Sequence, residues 1–172
     1  MGSILDFQTA LEESARPNLF RVTINFPLMC ENATEATRRS TYLTMQGQVP
    51  ASTIQDVVIQ FRGRELHEAG ERQFQPWQCQ IYNDANYTVR AALESWVANI
   101  RTPSSTDGTA LPQDYKSTIT VEQLNRAGET TRIYYLYGAY PSELEMMQLD
   151  YTQATTIEQY GVTFTYDYFT VA

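Results

Sequence analysis

Lysine, histidine and cysteine are all scarce in this 172-residue chain, and each scarcity closes off a class of function. Lys116 is the only lysine among 12 basic residues, which face 20 acids and leave a net charge of −8. Tight nucleic-acid binding relies on Lys and Arg neutralising phosphates, so that class is excluded. His67 is the single histidine and has no second histidine or spaced cysteine pair with which to share a metal. Two cysteines, Cys30 and Cys79, do not make a disulfide framework. No run approaches eighteen apolar residues, which excludes a membrane-spanning helix. The opening MGSILDFQTALEESARPN lacks a basic flank followed by an apolar stretch, so no secretory signal is expected and the reducing cytoplasm is the expected site of synthesis. The glycine-rich phosphate loops and the G-x-S-x-G elbow of hydrolases are missing too, and no cofactor is expected.

What is present is a globular composition, 42% hydrophobic and 19% charged. The length suits one domain, residues 1–172. Charge is uneven along it. After Arg132 there is no Lys or Arg, while Glu143, Glu145, Asp150, Glu158 and Asp167 follow. The preference for Arg over Lys matches protein interfaces, where a planar guanidinium loses less freedom on pairing.

Residues 4–13 have the pattern of a short amphipathic helix, ended before Pro17. Leu19–Phe26 alternate, with Phe20, Val22, Ile24 and Phe26 on one face of a half-buried strand. Glu31–Ser40 is polar and without period and is expected to be a loop or a strand-joining excursion; from Tyr42 the pattern is β. Ile54–Phe74 is expected to run extended, with Val57, Ile59 and Phe61 on one face and Asp56, Gln60 and Arg62 on the other. Val58 is the odd member, and Gly63 and Gly70 allow bulges or turns. Gln73–Tyr82 is a further strand with Trp77, Cys79 and Ile81 buried.

Asp84 or Asn86 is placed to cap a helix over TVRAALESWVANI, whose Val89, Leu93, Trp96, Val97 and Ile100 form an apolar stripe. Thr102–Pro112 is loop-like. STITVEQL and ETTRIYYLY flank the turn Asn125–Gly128, with Ile119 and Val121 on one face and Thr118, Thr120 and Glu122 on the other. Leu144–Tyr151 and Gly161–Val171 complete the strands, the latter with Val162, Phe164, Tyr166 and Tyr168 in alternation. The class is α+β, mainly antiparallel, with seven or eight strands and one good helix.

Catalytic readings are weak. His67 in RGRELHEAG reads as a surface strand or loop residue, and Cys79 as a buried thiol. Glu143 and Glu145 flank Leu144 at strand spacing, where solvated charge outweighs acid–base work. No catalytic or metal residue is assigned, and no enzyme activity is expected.

Several segments, in order, carry a resemblance. ARPNLFRVTINFP (15–27), GERQFQPWQCQIYND (70–84), LPQDYKSTITVEQL (111–124), GAYPSELEMMQLDY (138–151) and the ending VTFTYDYF resemble the tail tube protein of T-even-like contractile-tailed phages. Met29–Val49 and the Asp107-Gly108 loop depart from the pattern. The resemblance implies a tail-tube-type β-sandwich or half-barrel with one packed helix, completing a β-barrel only in a hexameric ring. It implies rings stacked into a hollow tube, with sheath protein outside and initiator (baseplate) and terminator proteins at the ends. The tube would meet the host envelope transiently, and DNA would pass through without specific binding. It places the chain in the virion, assembled in the host cytoplasm. A tube of a related injection system carrying protein effectors, or an initiator or terminator ring, shares the pattern; a small enzyme or ligand-binding β-domain is the rival of another class.

Four strands from each of six subunits make a barrel roughly 45–50 Å across, from strand spacing and tilt. A bore free of excess positive charge would not trap DNA by counterion release. The polar strand faces are therefore the expected lining: Asp56, Gln60, Arg62, Thr118, Thr120, Glu122 and Thr131. The opposite faces, with Val57, Ile59, Phe61, Ile119 and Val121, are expected to pack on the outer layer and helix. Ring-to-ring contacts are expected from the N-terminal helix, the Met29–Val49 excursion and the Thr102–Pro112 loop.

Overall fold

The computed structural model describes residues 3–11, 15–101 and 111–172. Residues 12 and 13 of the expected first helix, residue 14 after it, and 102–110 of the expected long loop lie outside the described residues. The elements run α1 (Ile4–Leu11), β1 (Phe20–Ile24), α2 (Ala33–Leu43), β2 (Thr44–Gly47), β3 (Ser52–Phe61), β4 (Arg64–Phe74), β5 (Trp77–Tyr82), α3 (Thr88–Ile100), α4 (Pro112–Tyr115), β6 (Ser117–Leu124), β7 (Thr130–Leu144), β8 (Gln159–Thr165) and β9 (Tyr168–Val171). Every strand pairing is antiparallel.

Seven strands form one sheet in the order β1-β6-β7-β8-β5-β2, with β9 also on β7. The strand β7 is shared by two leaves. Its first half pairs with β6 and β9, and its second half, from Tyr140, pairs with β8. Gly138 sits where the strand passes from one leaf to the other, at φ +67°. That angle is costly for any residue with a Cβ, and a Cβ there would collide with the Asp167 carboxylate. Asp167 closes the corner: its amide donates to Tyr137 O at 2.9 Å, and both its oxygens accept from Lys116 Nζ at 2.8 Å.

The core lies between the leaves. Val22 and Ile24 of β1, Ile119 of β6 and Leu136 of β7 face Trp77 and Ile81 of β5 and Val162 and Phe164 of β8, all buried. Phe26, Trp96, Phe164 and Trp77 link ring to ring at centroid distances of 5.5, 6.2 and 5.9 Å. Both indoles keep their N–H groups satisfied, Trp77 by Gln48 O at 2.6 Å and Trp96 by Tyr115 O at 2.8 Å.

The helix α3 closes the core with Val89, Ala92, Leu93 and Trp96. Neither Asp84 nor Asn86 is the cap residue; Asp84 instead braces the first turn, Oδ1 accepting from the Thr88 amide at 3.0 Å and Oδ2 from the Thr88 hydroxyl at 2.9 Å. The residue at the cap position itself is Tyr87, in a left-handed conformation. Val97 does not join the stripe; it is 42% exposed. At 100° per residue it lies about 80° around the helix from Val89, on the shoulder of the face. Ile100 is partly buried against the core.

Several expectations need correction. Glu31–Ser40 and Tyr42 belong not to a loop and strand but largely to the helix α2. Its inward residues are Ala33, Ala36 and Ser40, too small to register as an apolar period. Its hydroxyls serve the edge of β1 instead. The amide of Asn25 points to Thr118 O on β6, so those of Ile24 and Phe26 point away from the sheet. Ser40 Oγ accepts from Ile24 at 3.3 Å and Thr37 Oγ1 from Phe26 at 3.1 Å. An edge strand thus ends against a helix rather than in open solvent. On its outer side, Glu35 pairs with Arg38 and Arg39, and Arg39 reaches Asp84 at 2.6 Å, joining α2 to the start of α3.

The extended segment after Ile54 is two strands, not one. The expected strand Gln73–Tyr82 is likewise divided, β4 ending at Phe74 and β5 opening after Pro76. Leu144–Tyr151 is not a strand: β7 stops at Leu144, and Asp150 Oδ1 accepts from the Thr152 amide at 2.9 Å in a side-chain turn. Gly161–Val171 breaks at Asp167 into β8 and β9, and the alternation changes sides there. Tyr166 is buried, Tyr168 exposed and Phe169 packed on the core.

Candidate self-assembly surfaces

The strands β3 and β4 form a two-stranded sheet of their own, paired among the described residues only with each other. Arg62 and Gly63 make the turn with φ of +49° and +80°, the doubly left-handed geometry that matches strand twist in a two-residue hairpin. A register shift opposite Gln55 marks a bulge in β4 at Gly70 and Glu71. A Cβ on Gly70 would lie 3.0 Å from Gln55 O, so glycine permits the close approach.

The register assigns the two faces. One carries Asp56, Gln60, Glu65 and His67, with Val58 among them, opposite His67. His67 Nδ1 lies 2.6 Å from Asp56 Oδ2, and Gln60 Nε2 donates to Glu65 Oε1 at 2.7 Å. His67 is thus the surface strand residue expected. The other face carries Val57, Ile59, Phe61 and Leu66, exposed by 47, 41, 65 and 56%, with Arg64 and Glu68 beside them. Among the described residues, β3 and β4 pack chiefly on each other and not on the outer layer or α3. A hairpin of this length with an uncovered aliphatic face is incomplete alone. Arg62 lies at the tip rather than on the polar face, its guanidinium 5.3 Å from the Phe61 ring.

The second hairpin, β6–β7, turns at Asn125–Gly128, with Gly128 at φ +82°. Asn125 Oδ1 accepts from the amides of Ala127 and Glu129, both at 2.9 Å. Ile119 and Val121 face the core as expected. Thr118, Thr120 and Glu122 lie on the outer face, half-buried among cross-strand neighbours. Thr120 sits between Thr23 and Tyr135, and Glu122 between Arg21 and Ile133. Arg21 Nη1 approaches Glu122 Oε2 at 3.4 Å. Thr131 is exposed and donates to Gln123 O at 2.9 Å. One chain therefore holds Asp56 and Gln60 on one sheet and Thr118, Thr120, Glu122 and Thr131 on another.

A feature of the second face escaped the sequence reading. Tyr135, Tyr137 and Tyr168 run along it, Tyr137 stacked on Tyr168 at 5.0 Å and set 6.3 Å from Tyr135. The alternation in IYYLY was the available signal.

The comparisons with known proteins bear on what these surfaces are for. The profile described as phage tail tube protein matches residues 15–172. This chain belongs to the phage tail tube protein family. The tail tube protein of Serratia phage KSP90 is 26% identical over 163 residues, covering 93% of this chain and 92% of its own. The tail tube protein gp19 of Enterobacteria phage T4 is 26% identical over 155 residues, covering 90% of each. Among solved structures, a chain of the sheath–tube complex of the extracellular contractile injection system PVC superimposes with a TM-score of 0.66 at 16% identity, covering 100% of this chain and 99% of that one. A chain of its sheath/tube terminator gives 0.67 at 16% identity, covering 94% and 99%. These last two likenesses concern the fold.

In the tail tube family member described here, the segments that carried the resemblance fall on β1, on the end of β4 with β5, on α4–β6, on the second half of β7, and on β8–β9. The family is a structural one, and several of the titratable groups hold structural contacts. A groove of about 610 Å³ along residues 146–159 contains Asp150 and Glu158. Asp150 is held by Thr152, and Glu158 Oε2 accepts from Asn83 at 2.8 Å and from Tyr87 at 3.3 Å. Hydrogen bonds from Arg38 and Arg39 hold the Glu35 carboxyl down at about 2. Burial pushes the Cys30 thiol up to about 12 and raises that of Cys79 as well. Among the described residues no three His, Cys, Asp or Glu side chains are grouped to hold a metal ion.

Proposed function

We propose that the chain works as a single tail tube domain, six copies of which close into a ring, and that the rings stack into a hollow tube through which phage DNA leaves the particle. The observation that carries this reading is the β3–β4 hairpin, a separate sheet with both edges open and an aliphatic face uncovered. Such a surface is stable only when other copies cover it, and a barrel closed across subunits removes every open edge. Hairpins β3–β4 and β6–β7 contribute four strands per subunit to a barrel roughly 45–50 Å across, which leaves room for duplex DNA after side chains.

The polar faces then line the bore: Asp56, Gln60, Thr118, Thr120, Glu122 and Thr131, with Arg62 at the hairpin tip. Their balance of hydroxyls and carboxylates lets phosphates slide rather than bind. Sheath protein surrounds the tube, initiator and terminator proteins hold its ends, and the tube meets the host envelope as it is driven through. The protein is a virion component assembled in the host cytoplasm. A second reading, a tube that exports protein effectors, is favoured by one observation: the fold is shared with a tube complex of an injection system.

Negative-stain microscopy of the purified protein tests the main reading. Rings or hollow rods of uniform width are expected; a monomer at every concentration, even with the cognate initiating ring added, overturns it. Thr131→Lys, on an exposed position, tests the lining. It should leave rods intact and slow DNA release; loss of rods, or release at the parental rate, removes Thr131 from the bore.

A further inference from the structure

The two leaves of the main sheet do not close at the end where β1 begins. A cleft of about 230 Å³ opens there, and Leu19, Phe20, Val49, Val121 and Tyr134 contribute apolar walls. Among the described residues Glu122 is the only charged one lining it. Arg21 holds that carboxylate at only 3.4 Å, and nearby Arg132 lies over the Tyr134 ring. The cleft is therefore an apolar slot with an acid at its rim.

The same chain carries a matching shape. The β3–β4 tip reads Phe61-Arg62-Gly63-Arg64, an exposed phenyl ring flanked by two guanidinium groups with no acid among them. It does not fill its own cleft. Val49 stands three residues before Ser52, at the root of the hairpin, and the ten residues of β3 carry the tip roughly 30 Å away. A tip that reaches from one root to the next makes a head-to-tail contact, the kind that closes rings.

We infer that the hairpin tip of one copy docks in this cleft of a second copy, with the Phe61 ring in the slot and Arg62 or Arg64 at Glu122. The inference rests on the ring reading and names the contact that joins neighbours within it. It also accounts for a cationic tip beside a bore otherwise short of positive charge.

The test uses the full chain carrying Val49→Cys and Phe61→Cys together. Both positions are exposed, and the native Cys30 and Cys79 are buried, so neither competes. Mild oxidation should give a ladder of disulfide-linked oligomers, at least tenfold more abundant than for either single variant and abolished by reductant. Microscopy of the same sample before oxidation reports on rings and rods. Rings or rods without a ladder overturn the docking and leave the tube standing. A ladder without rings or rods keeps the docking and removes the ring; neither signal removes both. Another exposed apolar candidate is the α1 face, so Phe7→Cys with Val49→Cys is run in parallel. A ladder from that pair, and none from Phe61→Cys, assigns the cleft to α1 and overturns the proposal.

Discussion

Replacing Ser40 by alanine takes the acceptor away from the Ile24 amide. Ser40 and Ile24 are both fully buried, so water does not replace the lost hydroxyl. A buried amide left unsatisfied costs about 1–3 kcal/mol. Alanine returns roughly 0.5 kcal/mol of helix propensity to α2. The net loss is about 0.5–2.5 kcal/mol, a drop in Tm of about 1–10 °C for a domain of this size. Urea unfolding of the unassembled subunit reads the difference as a lower midpoint at unchanged slope, and amide exchange at Ile24 should speed up in step. A midpoint equal to that of the parent, with Ile24 still protected, refutes the idea that α2 completes the hydrogen bonding of β1. Thr37→Val asks the same of Phe26 with little change of volume.

Gly138→Ala forces a left-handed alanine, about 1–2 kcal/mol, and drives the new Cβ into the Asp167 carboxylate. Thermal unfolding should fall by about 2–8 °C, and an unchanged Tm refutes the corner as drawn. Glu35, held at about 2 in the folded chain against an ordinary 4.5, contributes stability above pH 4.5 that is lost as pH falls toward 2. Glu35→Gln should flatten that limb of a pH–stability curve; a parental slope counts against the Arg38–Arg39 clamp. The raised Cys30 thiol favours the protonated folded form, so stability is full below the unfolded thiol value near 8.5 and falls as pH rises toward 12. Labelling of Cys30 and Cys79 by an aromatic disulfide reagent at pH 8 should proceed at the unfolding rate; rapid labelling of the native subunit refutes their burial.

The parts of the fold that were legible obey one local rule each. β1 and the β6–β7 hairpin alternate cleanly, because one face meets the core and the other does not. The helix α3 has an aspartate at its start and large apolar residues at helical spacing. Where the reading failed, the stabilising chemistry carries no hydrophobic signal. The helix α2 packs through Ala33, Ala36 and Ser40 and through hydroxyl bonds to a strand edge, a pattern visible only once the strand is in place. The turn at Arg62-Gly63 lacks the Asn-Gly or Asp-Gly pair that announces a tight hairpin. Beyond Asp167 the alternation changes sides because the chain turns a corner held by Lys116, a partner 51 positions distant. Of the surface set, the Asp56 and Gln60 face was readable from alternation alone, whereas the Tyr135–Tyr137–Tyr168 row needs β7 and β9 laid side by side.

The helix laid along β1 also bears on how this subunit tolerates crowding. With the Ile24 and Phe26 amides already spoken for, a stray strand from another molecule finds no template along the end of β1. Strand addition along that stretch is thereby disfavoured.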